Sequence, residues 1–317
     1  MGKLSIGIDT SNYKTSIAVI DDNSNIVYNR SEYLEVKQGE RGLRQSTAFF
    51  MQSNNLPVFV QDMFSYINPE DVNVIGVSSR PRRVEGSYMP CFLAGCNLAT
   101  ELGAVLRVPV LKFSHQEGHA AAIIETADIT SDDRCIFYHL SGGTTEFLLC
   151  DKDEYGYSTE IVGGTKDISF GQLLDRLGVQ MGYKFPSGMY LDEIAYSNIA
   201  SNMTVDVPEI NIIDGYFNLS GIETKLSRAI ERADEHTCQM YISKLFSRIA
   251  NVLDESAAYL SNKYQVSKVY MAGGVASSRT IRKLITNDNI IFGKPEFSGD
   301  NAVGIAILAE RYINNKE

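Results

Sequence analysis

The chain of 317 residues predicts a duplicated α/β fold. Three observations carry that reading. Each half opens on hairpin-rich strands and continues into strand–helix units, Gly- or Ser/Thr-rich turns follow strands in both halves, and no short repeat or low-complexity tract breaks the order. A chain of this length can bury two cores. The expected division is a first lobe over 1–128, with a C-terminal helix at about 300–317 packing back onto it, and a second lobe over 129–299.

In the first half, LSIGID, TSIAVID and NIVYNRSEYLEV are β-branched runs separated by the turn-like SNYK and DDNSN. A helix is expected from Gln45 to Tyr66, after the polar GERGLRQS. Strand VNVIGVSS leads into PRRVEGSYMPC, and a helix follows through AGCNLATELGAVL. VPVLKFSH reads as a short strand ending at a His, with a helical AAAIIETA after it. Beyond Ala127 the order restarts. RCIFYHLSGG and TEFLLCDKD flank a Gly-Gly turn, YSTEIVGG is a third strand, and SFGQLLDRLGVQM is a helix. Long helices are expected over about Gly221–His236 and Met240–Tyr264. Strand KVYMAGG, helix SSRTIRKLIT, a strand around NIIF and a last helix through AVGIAILAERYI complete the chain.

Composition narrows the function. Hydrophobic residues make up 44% and charged residues 21%, the balance of a soluble globular protein. Lys plus Arg is 29 against 39 for Asp plus Glu, a formal net charge of −10, which argues against nucleic-acid binding by a global field. A local basic patch or a basic partner would have to supply phosphate contacts. Five scattered cysteines without a CxxC pair read as reduced thiols. The N-terminus shows no apolar signal-peptide core, and no apolar run reaches the roughly 20 residues of a membrane helix. A cytoplasmic location without membrane partners is expected.

Three turns are candidates for phosphate: GIDTSNYKTS, HLSGGTTEF and YMAGGVASSR. Glycines let a backbone approach a ligand, hydroxyls and N–H groups cradle phosphate oxygens, and a helix after the third turn adds a favourable dipole. A single Gly-Gly turn is more often only a turn. Together the three form the layout of two lobes closing on a nucleotide. Neither a P-loop nor GxGxxG is present, which disfavours Walker NTPases and Rossmann dehydrogenases.

His115 and His119 in SHQEGHA lie four apart, so on a helix both rings project from one face and suit a divalent metal; a solvated helix face is the competing reading. Glu117 stands two after the first His, whereas the zincin HExxH places it one after, so peptidase chemistry is unsupported. His139 ends a strand just before the Gly-Gly turn. Asp300 opens the final helix, where it suits either capping or a metal. Two His and a carboxylate suit Fe, Zn or Mn, and leave positions open for a ligand oxygen.

In their order, GIDTSNYKTS, SHQEGHAAA, HLSGGTTEF, GGTKDISFGQLLDRLG, FPSGMYLDEIA, NLSGIETKL, MAGGVASS and SGDNAVGIAI resemble the TsaD (Gcp) family of tRNA threonylcarbamoyl-transferases, once described as glycoproteases. The resemblance runs from Gly7 to about Ala309. It implies an actin-like (ASKHA, ribonuclease H-like) fold with a nucleotide and metal cleft between two lobes. It implies metal ligands at His115, His119 and Asp300, with His139 standing where relatives carry a metal-binding Tyr. Ser141, Gly142, Gly143, Thr144 and Thr145 would contact the phosphate or threonylcarbamoyl end of an acyl-adenylate. Asp167, Gly171, Asp175, Gly188 and Asp192 would hold the nucleoside, and Gly273, Gly274 and Ser278 would lie on its adenine side. The implied reaction moves a threonylcarbamoyl group from its adenylate to N6 of adenosine in tRNA, with AMP leaving. The implied partners are tRNA and family subunits such as a second actin-like protein.

The chain departs from the family pattern at several positions. Where the family reads GIETSCDET, this chain has GIDTSNYKT, so Tyr13 and Lys14 replace acidic residues; Thr10 and Lys14 are the candidates for the chemical step. A Gly-rich VTxGPGL-like turn becomes VSSRPRRVEGSYMP, whose Arg80, Arg82 and Arg83 suit RNA phosphate or a solvated loop. Ser187, Gln172, Ile168 and Ser278 replace a Gly, a Glu, an Asp and an Asn of the family. These changes leave two alternatives to tRNA acyl transfer: a non-catalytic regulatory paralogue, and a carbamoyl transferase acting on a small molecule.

Overall fold

The central strands of the first sheet are buried on both faces, so they read as continuous apolar runs instead of alternating ones, whereas the edge strand Ile26–Tyr33 is mostly exposed. All six residues of β1 (Leu4–Asp9) are buried, as are all but the first of β2 (Lys14–Ile20). With β3 (Ile26–Tyr33) they pair antiparallel; β4 (Val72–Arg80) and β5 (Val110–Ser114) add in parallel, giving the order β3-β2-β1-β4-β5. Helices α1 (Gln45–Tyr66), α2 (Phe92–Leu106) and α3 (His115–Ile124) accompany this sheet. In this computed structural model the described residues are 3–11, 14–35, 43–127, 133–154, 156–200, 204–299 and 301–316.

The second sheet is built from β6 (Arg134–Leu140), β7 (Thr145–Asp153), β8 (Gly156–Thr165), β9 (Tyr216–Phe217), β10 (Val269–Ala272) and β11 (Ile290–Phe292). Its order is β11-β10-β6-β7-β8-β9. Removing β9 leaves β8-β7-β6-β10-β11, the same path as β3-β2-β1-β4-β5 in the first sheet. That shared path is the duplication expected from the strand pattern. The accompanying helices are α4 (Phe170–Gln180), α5 (Gly188–Ser197), α6 (Ser220–Ile230), α7 (Glu235–Tyr264), α8 (Arg279–Leu284) and α9 (Pro295–Ser298), and the chain ends on α10 (Val303–Asn314).

The chain divides into two compact units, neither of them contiguous. One is Met1–Asp133 with Asp151–Thr159 and Asp300–Glu317; the other is Arg134–Cys150 with Glu160–Gly299. Each has its own core. The first centres on Ile6, Ile8, Ile17, Phe59, Met63 and Ile75. The second centres on Tyr138, Phe147, Leu173, Phe246, Leu253 and Met271, with Tyr138 stacked on Phe147 at 3.7 Å and its hydroxyl donating to Ser256 Oγ at 2.9 Å. All five cysteines are free thiols, and no described helix is long and apolar enough to cross a membrane.

Three local readings are corrected. The helix expected from Ala120 begins at His115, because Ser114 and Glu117 form a reciprocal capping box. The break expected after His236 falls earlier, because Asp234 caps α7 by accepting from Thr237 N at 2.7 Å. Helix α5 and the short β9 had no counterpart in the sequence reading.

Candidate functional site

In the first unit, the capping box that starts α3 also sets the direction of two imidazoles. His115 takes the first helical position and His119 lies one turn on, 4% exposed. Their Nε2 atoms are 3.0 Å apart, and the rings meet edge to face. The other side of His115 is held by Asp9, at the end of β1: Nδ1–H donates to Asp9 Oδ2 at 2.7 Å, and that carboxylate is 1% exposed. Ser11 N–H donates to the second Asp9 oxygen at 2.9 Å. Gln52, fully buried on α1, donates to Ser11 O at 2.6 Å and so fixes the turn that carries Asp9. A proton on Nδ1 leaves the His115 Nε2 lone pair facing His119.

Two nitrogens that hold one divalent cation at roughly 2.0–2.1 Å lie about 3 Å apart when they are adjacent ligands. The pair at 3.0 Å fits that spacing, and a carboxylate on the far ring nitrogen is the usual support of a metal-binding His. Among the described residues, no group of three or more His, Cys, Asp or Glu is placed to hold a metal. Asp300 and Tyr13 lie outside the described residues. His139, at the end of β6 in the second unit, stacks on Phe137 at 6.4 Å.

Helix α3 reaches its position because it crosses α10 at two glycines. A Cβ on Gly304 would fall 1.8 Å from Gly118 O, so only glycine permits this approach. Thr10 is buried, and its Oγ1 accepts from Gly95 N at 3.2 Å. The Lys14 ammonium lies 4.8 Å from the centre of the Tyr33 ring. Burial and then the charge of Asp9 push the Cys91 thiol up to about 12, so it stays protonated and is no nucleophile at neutral pH. Arg83 pairs with Asp153 at 2.7 Å and Glu117 at 3.4 Å, and Arg82 N–H donates to Ser87 Oγ within the same loop.

The second unit gathers the glycine turns. The β6–β7 turn closes when Ser141 N–H donates to Thr144 O at 2.8 Å and Thr144 N–H donates to Ser141 Oγ at 3.1 Å. The N–H groups of Gly142 and Gly143 stand outside that closure. Gly171 and Gly273 press on the turn: a Cβ would meet Gly142 Cα at 2.4 Å and Leu140 O at 2.2 Å respectively. Ser169 ties the start of α4 to the turn by donating to Gly142 O at 2.7 Å, and Phe170 N–H donates to Thr145 Oγ1 at 3.0 Å. By contrast, a Cβ on Gly142, Gly143, Gly188 or Gly274 would meet nothing within 4 Å. The open side of this cradle is backbone without side chains, the surface a phosphate needs.

The three aspartates around the cradle are engaged with backbone. Asp167 accepts from Ile168, Leu219 and Ser220 N–H groups. Burial opposes its charge, but the Ser220 side chain and these donors outweigh that and hold the carboxyl well below its ordinary range. Asp175 accepts from Ser187 N at 2.6 Å; burial raises its carboxyl, partly offset by the Ser187 and Gly188 N–H groups. Asp192 accepts from Ser278 Oγ at 2.5 Å, Arg279 N at 3.0 Å and Thr280 N at 3.1 Å. The helix dipole expected to face phosphate after the third turn is therefore already engaged: α8 has six residues, and its first N–H groups go to Asp192 and Ser278. A carboxylate offers about four lone-pair sites, so Asp192 retains room for a hydroxyl.

Known proteins resemble this chain in sequence and in fold. The tRNA N6-adenosine threonylcarbamoyltransferase of Thermotoga neapolitana is 25% identical over 95% of this chain and 91% of its own length. HypF of T. kodakarensis superposes with a TM-score of 0.62 at 14% identity over 99% of this chain, which spans about half (48%) of that longer protein. A ROK-family glucokinase from Streptomyces griseus superposes with a TM-score of 0.52 at 13% identity, covering 97% of this chain and 99% of the kinase. The two units thus form the duplicated actin-like fold. The family model TsaD, described as tRNA N6-adenosine threonylcarbamoyltransferase, matches residues 47–307, and the chain belongs to that family.

Proposed function

We propose that this chain is a transferase that moves a threonylcarbamoyl group from its adenylate to N6 of an adenosine in tRNA, assisted by one divalent metal. The family match over 47–307 supports the reaction. The observation that carries the metal dependence is the His115–His119 pair, with Nε2 atoms 3.0 Å apart and braced through Nδ1 by Asp9. His115 and His119 hold the metal, with Asp300 as a further ligand. Bound there, a divalent cation supplies Lewis-acid polarisation of a carbonyl or phosphate oxygen. A metal held there would take the Nε2 lone pairs of both rings.

The second unit holds the acyl-adenylate. Gly142 and Gly143 direct N–H groups at the phosphate, where they stabilise charge that grows as AMP departs. Asp192 receives a ribose hydroxyl in addition to its backbone donors. Thr10 is buried and accepts from Gly95 N, which fixes the first turn.

The test is complementation. Cells depleted of their own family enzyme are supplied with this chain, and threonylcarbamoyl-adenosine in total tRNA is quantified by mass spectrometry. The expected result is restored modification that is lost in His115→Ala with His119→Ala. Absence of modification from folded protein supplied with its partner subunits would overturn the reading.

A further inference from the structure

Apart from the histidine pair and the glycine cradle, the first unit holds a cavity of about 260 Å³, lined in part by Arg80, Arg83, Lys112, Glu117 and Tyr312. It borders the open edge of the sheet, where β5 is the last strand. Ile75 N–H donates to Pro109 O, so the parallel ladder turns the amides of Leu111 and Phe113 inward and that of Lys112 outward.

The cations of this cavity are not equivalent. Arg83 is occupied by Asp153 and Glu117, at 2.7 and 3.4 Å. Glu117 is itself committed, because the backbone N–H and hydroxyl of Ser114 both donate to its Oε2. Arg80 differs: its Nε is buried without a hydrogen-bond partner. A buried donor left unmade costs about 1–3 kcal/mol, more for a charged group, and native proteins rarely tolerate one without a ligand or water to meet it. The local excess of positive charge stands out in a chain whose formal net charge is −10.

We propose that this cavity is an oxyanion site for a phosphate group, separate from the acyl-transfer chemistry. Arg80 is its anchor and Lys112 its second cation. Arg83 is the positioning residue, held by Glu117 and Asp153 so that its guanidinium shapes the wall and does not close over the ligand. The phosphate comes either from an RNA backbone or from a free phosphorylated small molecule. The first unit recognises both by the same donors, and the site makes no demand on the histidine pair.

The chain contains no tryptophan, so Tyr312→Trp places a single indole in the cavity wall, excited selectively beyond the tyrosine absorption band. Titration with inorganic phosphate at constant ionic strength is expected to change its emission saturably. In the same background Arg80→Gln should weaken binding about tenfold or more, the worth of a charged hydrogen bond, with Arg80→Lys in between. Calorimetry of the unmodified protein against Arg80→Gln gives a second readout that no fluorophore perturbs. Unchanged affinity in folded Arg80→Gln by both readouts overturns the proposal. Addition of tRNA then separates the sources: displacement of phosphate by tRNA identifies the RNA backbone, and phosphate binding indifferent to tRNA identifies a small molecule.

Discussion

Asp9 does more for the first unit than its place at the end of a strand suggests. One oxygen accepts from Ser11 N and the other holds His115 Nδ1, so a single buried carboxylate fixes both the first turn and the His115 ring. Asp9→Asn keeps the shape and removes the charge that favours the proton on Nδ1. Metal affinity is expected to fall about 10–100-fold, the usual loss when such a support is removed, and competition with a chromogenic chelator reads it; unchanged affinity would refute the role. Asp167 makes a different kind of prediction. Its folded carboxyl lies below the unfolded value of about 3.9, so it adds stability above that value and loses it as pH falls toward the depressed folded one. Asp167→Ala should cost about 1 kcal/mol at neutral pH, as lost helix caps do, with the difference from the parent shrinking in acid; paired urea titrations check both. The histidines were legible in the sequence from their spacing. Asp9 was not, because nothing in GIDTS distinguishes a carboxylate that braces a distant ring from one that ends a strand.

Helix starts show where local sequence carried enough information. Helix α1 has the bounds expected, Gln45 to Tyr66, and the Ser114–Glu117 capping box that starts α3 is present as S-x-x-E in SHQE. What local sequence does not state is how closely α3 and α10 approach. Gly304→Ala sets a Cβ 1.8 Å from Gly118 O and 2.7 Å from Ala122 N, contacts that α3 can relieve only by moving. Overpacking of this kind costs about 1–3 kcal/mol, and calorimetry should show a lowered melting temperature together with weaker metal retention. Gly142→Ala is the contrasting change. Its Cβ meets nothing within 4 Å, so stability should move by no more than about 0.5 kcal/mol, while nucleotide affinity drops because the methyl group occupies the cradle. Equal destabilisation by the two substitutions would contradict this assignment.

At the scale of the molecule, the first unit is completed by the end of the chain. Val303, Ile305, Ile307 and Leu308 of α10 are buried, and each such side chain contributes about 1.5–3 kcal/mol on burial. Removing 300–317 therefore takes away an amount comparable with the whole stability of a domain, about 5–15 kcal/mol. In the truncated chain, hydrogen exchange should find β1 and β4 unprotected while α7 keeps its protection; retained protection of β1 would show that α10 is dispensable. Sequence alone determined most of the strand and helix order, though not α5 or β9, together with the duplication, the glycine turns and the histidine pair, because periodicity, turn chemistry and spacing are local properties. Tertiary structure decided the rest. It decided that Asp9 braces His115, that Gly118 and Gly304 admit a helix crossing, and that Asp192 takes the first N–H groups of α8. It also decided that Arg80, unlike Arg83, is left with a buried donor. Each of these depends on atoms far apart in the chain, and only burial, which removes competing water, makes such contacts strong enough to choose one arrangement.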